Sequence, residues 1–160
     1  MDQFINQYSS LLIAAGIMLI AVLLVFRHKP QWPELLALGV IALGLILAWF
    51  ILRPVQTPLI ETAQKVKDQI GQGQPVLLKF QSPYCINCIR LKPTVDQLER
   101  ELAGRLLIIR LNVQEPAGRE LGRLYGFEYT PTFIFFDPQG RELWRQVGDL
   151  NVQRVRDSVK

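Results

Sequence analysis

The sequence predicts an α/β domain with a mixed sheet and helices on both faces, preceded by a two-helix hairpin long enough to cross a membrane. Three observations carry this reading. Residues 9–26 and 35–52 are two runs without a single charge. From residue 59 onward the apolar spacing alternates between helical and strand periods. Both cysteines, Cys85 and Cys88, sit where one of those strands turns into a helix.

The 160 residues are 49% hydrophobic, with a net charge of +4. The apolar excess lies before residue 53, and the remaining hundred or so residues can bury a core of their own. The cations are scattered from Lys65 to Lys160 with no basic run and no interleaved aromatics, which argues against a nucleic-acid partner.

The hairpin comes first, with residues 1–53 read as a membrane anchor. The run 9–26 would span about 27 Å as a helix, close to the hydrocarbon thickness of a bilayer. A polar break from Arg27 to Pro33 separates it from the second run, 35–52. Tyr8, Phe26, Trp32 and Trp49 lie near the run ends, as interfacial aromatics do. The length of the first run and the lack of a basic leader argue against a cleaved signal peptide. A buried hairpin in a soluble core would need more covering surface than the rest of the chain supplies. Gly16, Gly39 and Gly44 are candidate points of close helix–helix approach. Arg27 and Lys29 in the short loop favour a cytoplasmic loop, which places the C-terminal domain outside the cytoplasm; Arg53, Lys65 and Lys67 pull the other way.

Residues 54–160 form the second unit. Pro54 and Pro58 end the membrane helix. Leu59, Ala63, Val66 and Ile70 recur at helical spacing, and Gly71 and Gly73 stop that helix. Val76 to Phe80 is apolar on both faces except at Lys79, the pattern of a central strand covered on both sides. A helix from Ile89 to Leu102 follows, with Leu91, Val95, Leu98 and Leu102 inward and Pro93 as an internal kink. Leu106 to Val113 is the next strand. Pro116 opens a helix that turns Leu121, Leu124 and Tyr125 inward. Thr132 to Phe136 and Glu142 to Val147 form a hairpin across the turn Asp137-Pro138-Gln139-Gly140. A last helix runs from Asn151 to about Val159.

The cysteine pair carries the chemistry. Unpaired N–H groups at a helix start favour a thiolate, and the thiolate is the reactive form. A zinc site needs about four ligands, and the other half is missing, since the one histidine, His28, lies in the hairpin loop. A bridge across two residues would constrain little of the unfolded chain. A redox dithiol in a βα setting is the favoured reading.

Further motifs point the same way. Pro93 follows the second cysteine by five residues. Thr130-Pro131-Thr132 precedes the strand at Phe133–Phe136, with Gly140 and Gly148 beyond it. On these motifs the segment from about residue 59 to 160 resembles the thioredoxin family, while residues 1–53 have no counterpart there. The resemblance implies a thioredoxin fold in which Cys85 is the exposed nucleophile and Cys88 the buried resolving thiol. It implies that Pro131 is cis and, with Thr130, meets substrate across from the pair, alongside Tyr84. It implies no cofactor beyond the redox-active Cys85–Cys88 disulfide, and as partners protein thiols or disulfides and a membrane or soluble electron donor.

The departures are specific. Tyr84 replaces the usual tryptophan, and Ile86-Asn87 replaces Gly-Pro, so the potential is not transferable. Lys79 stands where the family has a buried aspartate, and Arg110 where a lysine is common. Two cations near the thiols would favour thiolate, unless Lys79 snorkels to the surface. The expectation is a multi-pass protein of a bacterial plasma membrane or its equivalent, with an extracytoplasmic thiol–disulfide oxidoreductase domain that reduces protein disulfides. The competing readings are a disulfide-forming oxidase or isomerase, and a non-enzymatic tethered binding module.

Overall fold

The structure, a computed structural model, describes residues 2–27, 31–52 and 62–159. Two long helices come first, α1 (Asp2–Phe26) and α2 (Trp32–Leu52). They contain stretches of 19 and 20 residues apolar enough to cross a membrane. Their apolar side chains are largely uncovered by the rest of the chain, with Leu24 64% and Val40 70% exposed. A soluble core built around the hairpin is therefore not what the chain forms. The second helix starts at Trp32, three residues before its uncharged run. Pro33 suits a first turn, and the Gln31 N–H donates to the Glu34 carboxylate (3.0 Å). Gly16, Gly39 and Gly44 do not mark the helix contact, because a Cβ built on any of them meets nothing within 4 Å. His28, Lys29, Arg53, Pro54, Pro58 and Leu59 lie outside the described residues.

The second unit is a four-stranded sheet with helices on both faces. After α3 (Ala63–Gln69) come β1 (Val76–Gln81), α4 (Ile86–Arg90), α5 (Lys92–Glu101), β2 (Leu107–Asn112), α6 (Pro116–Leu124), β3 (Thr132–Phe136), β4 (Glu142–Val147) and α7 (Val152–Ser158). The strand order is β2-β1-β3-β4. The β1–β2 pair is parallel, and β3 is antiparallel to both β1 and β4. Every residue of β1 is buried, as its unbroken apolar pattern predicts for a central strand. Its alternate side chains feed two cores. Val76, Leu78 and Phe80 pack with Val66 and Leu121 from α3 and α6. Leu77 packs with Val95, Leu98 and Val155 from α5 and α7.

The helix expected from Ile89 to Leu102 with an internal kink at Pro93 is two helices. It begins earlier, at Ile86, and breaks at Leu91, whose N–H turns back to the Asn87 and Ile89 carbonyls. Pro93 sits in the first turn of α5 rather than inside a longer helix. It has no N–H to give to the Ile89 carbonyl, and its ring blocks that approach, so the break falls just before it.

One glycine is fixed by packing. Gly118 lies on α6 so close to β2 that a Cβ there would come 2.0 Å from the Asn112 carbonyl oxygen. Gly118→Ala must push the helix off the strand and is expected to destabilise by about 1–3 kcal/mol. A thermal midpoint followed by near-UV circular dichroism on the full chain checks this, and a midpoint equal to wild type would contradict the packing described.

Candidate functional site

The site forms where β1 ends beside β3. Cys85 is the N-cap of α4, in extended conformation, and its sulfur accepts the Cys88 N–H at 3.3 Å. The Ser82 carbonyl accepts the Cys85 N–H (3.2 Å), which closes the turn before the cap. On the other side the Cys85 thiol lies 3.5 Å from the Thr130 carbonyl oxygen. The Thr130–Pro131 peptide is cis. The Gly148 N–H holds the Pro131 carbonyl at 2.9 Å, tying the late glycine to this loop. The two cysteines are free thiols.

The two sulfurs are driven apart in acidity. Cys85 is lowered to about 6, first by the hydrogen bond from the Cys88 thiol, then by the Thr130 side chain and the N–H groups of Cys88 and Asn87, against the opposing effect of burial. Cys88 is raised, chiefly by burial, then by giving its proton toward Cys85 and facing the charge there. One thiolate serves both sulfurs, and it resides on Cys85.

The expected exposure of Cys85 is not found. It is 1% exposed, against 0% for Cys88. Its flanks are occupied: the Ile86 N–H donates to Ser9 Oγ at 3.0 Å. The Tyr84 carbonyl accepts both the N–H of Ser10 at 2.8 Å and its hydroxyl at 2.6 Å. The Tyr84 ring stacks on Tyr8 (5.5 Å) and Trp49 (6.1 Å). Tyr84, expected to face substrate, therefore meets the chain's own hairpin. The only sequence signal for this contact was a pair of serines and two end-of-span aromatics.

Lys79 does not reach the surface; it is 1% exposed on β1, in register with Arg110 of β2 and Phe133 of β3. Burial lowers its pKa from 10.5 to about 8; the Cys88 charge opposes this and Arg110 adds to it. Arg110 is not aimed at the thiols. It binds Asp96 at 2.9 Å and Glu99 at 2.7 Å on α5, and Lys92 holds the other Asp96 oxygen at 2.8 Å. Lys79 interacts with both thiols, and more strongly with Cys88, where it opposes the rise, than with Cys85. Among the described residues no group of three His, Cys, Asp or Glu side chains could hold a metal.

A cysteine capping the helix that follows a central strand, with its partner thiol one turn on and a cis-proline loop against it, defines the thioredoxin-fold class of dithiol proteins. Residues 62–160 match a family profile described as a thioredoxin-like domain. The chain belongs to that family. Thioredoxin 1 of Chlorobaculum tepidum is 30% identical over 99 residues, covering 61% of this chain and 94% of that protein. The chloroplastic thioredoxin-like protein HCF164 of Oryza sativa is 29% identical over 101 residues, covering 63% of this chain. The chloroplastic thioredoxin M-type of Pisum sativum is 36% identical over 67 residues, covering 42% of this chain. The match spans only 38% of each of these last two proteins. In fold, the chain is similar to Fasciola hepatica thioredoxin, with a TM-score of 0.53 at 24% identity over 62% of this chain and 92% of that one.

Two outcomes are expected. Alkylation of Cys85 by iodoacetamide should rise with pH around a midpoint near 6, while Cys88 in a Cys85→Ser variant stays slow through neutral pH; a single midpoint near the ordinary thiol value would contradict the shared thiolate. The second concerns Lys79. Its folded pKa lies below its unfolded one, so between about pH 8 and 10.5 the unfolded chain binds more protons and stability rises with pH. Below pH 8 the buried ammonium destabilises by about 3 kcal/mol. Lys79→Met should raise the thermal midpoint at pH 7, with the gain shrinking toward pH 10.5; no gain at pH 7 would mean that the ammonium is solvated.

Proposed function

We propose that the protein is a membrane-tethered thiol–disulfide oxidoreductase that reduces protein disulfides through Cys85 and Cys88. The observation that carries this is the sulfur at the cap of α4, held as a thiolate by the Cys88 thiol, Thr130 and two backbone N–H groups. The Cys85 thiolate attacks one sulfur of a substrate disulfide, and the other substrate sulfur leaves as a thiolate and takes up a proton. Cys88 then gives up its proton and attacks Cys85 Sγ. The second substrate thiol is released, and the Cys85–Cys88 disulfide remains. Two electrons and two protons from a dithiol donor, membrane-bound or soluble, restore the pair, and no other cofactor is required.

Lys79, beneath Cys88, favours the resolving thiolate in the second step, when the charge on Cys85 is gone. Thr130 and Pro131 form the loop facing the pair, where an extended substrate segment would lie. A thiol near 6 is closer to the thioredoxin value of about 7 than to the value of about 3.5 in a strong oxidase, which supports reduction over oxidation. The two apolar helices support the tether. Arg27 and Lys29 in the hairpin loop support an extracytoplasmic domain in a bacterial plasma membrane or its equivalent.

A Cys88→Ser variant in native membranes should accumulate mixed disulfides on Cys85 that disappear with Cys85→Ser. The potential of the Cys85–Cys88 pair separates the directions: a value near −270 mV fits a reductase and one near −120 mV an oxidase. An empty trap beside normal partner binding would favour a binding module, and a potential near the higher value would favour an oxidase.

A further inference from the structure

The hairpin does more than hold the domain near a surface. It is built into the turn that carries the nucleophile. The first helix has a non-helical residue at Tyr8 (φ −113°, ψ 16°). A kink there releases the Ser10 N–H from the helix ladder, and that donor goes to the Tyr84 carbonyl. The Ser9 hydroxyl takes the Ile86 N–H, one of the unpaired donors at the start of α4. Two adjacent serines of α1 therefore grip the backbone on both sides of Cys85. Tyr8 and Trp49, one from each helix, stack on the ring of Tyr84 between them.

The gripping residues mark a particular depth. The first uncharged run begins at Ser9, and Trp49 lies one turn from the end of the second. A cavity of about 660 Å³ continues inward from the grip. It is lined by Leu11, Ala14, Leu45 and Ile46 of the hairpin and by Ile86 and Ile89 of α4. No charged residue lines it, and its apolar wall passes without interruption from the spans to the redox turn. Ile86, next to the nucleophile, is 47% exposed.

We propose that the grip seats Cys85 at the lipid–water boundary, and that the partner disulfide belongs to an integral membrane protein, carried on a segment just where it leaves the bilayer. This rests on the tethered-oxidoreductase reading above. The apolar wall accepts the emerging segment. A disulfide at that level is held beside Cys85, whose sulfur is 1% exposed and is uncovered locally as the segment docks, whereas one held far into the water is not. The exchange is the reduction already described, with the same electrons and protons.

The test uses the full chain, reduced, in phosphatidylcholine liposomes. Three disulfide-loop peptides of one sequence are compared: soluble, fused directly to an uncharged transmembrane helix, and fused to that helix through about 30 Gly/Ser residues, which reach about 30 Å. The anchored pair share one surface concentration and differ in the height range the disulfide samples, the flexible linker bringing it to the boundary only part of the time. The direct fusion is expected to be reduced at least about tenfold faster than the long-linker fusion, the scale on which geometry changes effective concentration. The Ser9→Ala/Ser10→Ala double variant should bring that ratio toward one. Equal rates for the two anchored peptides, or a ratio untouched by the double variant, would overturn the seat while leaving the oxidoreductase reading intact. Reduction of none of the three would overturn both. If the double variant fails to insert on flotation, the linker comparison in the unmodified protein decides alone.

Discussion

The site depends on one contact, the Cys88 N–H donated to the Cys85 sulfur at the cap of α4. A cap must sit where extended chain becomes helix, so the contact needs β1 to end at Gln81 and the helix to start at Ile86. It needs Pro93 to end α4 after one turn, which leaves Cys88 on the side facing the sheet. It needs β3 beside β1, because that pairing delivers the Thr130 carbonyl to within 3.5 Å of the same sulfur. The antiparallel order of β3 against β1 is thus a requirement of the site as much as of the core.

Beneath the thiols the charges are arranged against expectation, but with a consistent logic. A lysine with 1% exposure is costly unless it is paired or loses its proton. Here the neighbouring cation, Arg110, is neutralised by Asp96 and Glu99, and Lys92 shares Asp96. Lys79 is left with a cysteine, Cys88, as its leading charge partner. When the thiolate sits on Cys85, Lys79 adds little. In the proposed reaction, once Cys85 is tied up in a mixed disulfide, the next anion forms on Cys88, whose charge is the leading one acting on Lys79.

Much of this could be read from residues alone. The four strands fall close to where the sequence pattern puts them: the central pair β1 and β3 read as runs buried on both faces, and β4 is placed by the turn at residues 137–140 that pairs it with β3. The dithiol was carried by its own spacing and setting, and the cis Thr130–Pro131 peptide and the facing loop by the family resemblance that the spaced motifs support. The kink expected at Pro93 is a full break two residues earlier, at Leu91, since an apolar stripe through Leu91 and Val95 satisfies helical periodicity on both sides of it. The direction of Arg110 was also missed, because register places its Cα beside Lys79 but only packing against α5 turns its guanidinium to Asp96. The hairpin contacts on both sides of Cys85 had little signal, for they come from residues about 75 positions away that read purely as membrane anchor.

That last contact changes what the hairpin is. A simple tether would leave the redox turn free to sample the volume its linker allows. Three hydrogen bonds and two ring contacts to the residues beside Cys85 remove that freedom. Each bond is modest in water, but in a boundary region of low dielectric the same bonds strengthen and an unpaired Ile86 N–H becomes costly. The grip therefore tightens where the apolar spans are most stable. On the tethered reading proposed above, insertion of the hairpin and ordering of the nucleophile's turn would be one event, and the membrane would be part of what holds the cysteine in place.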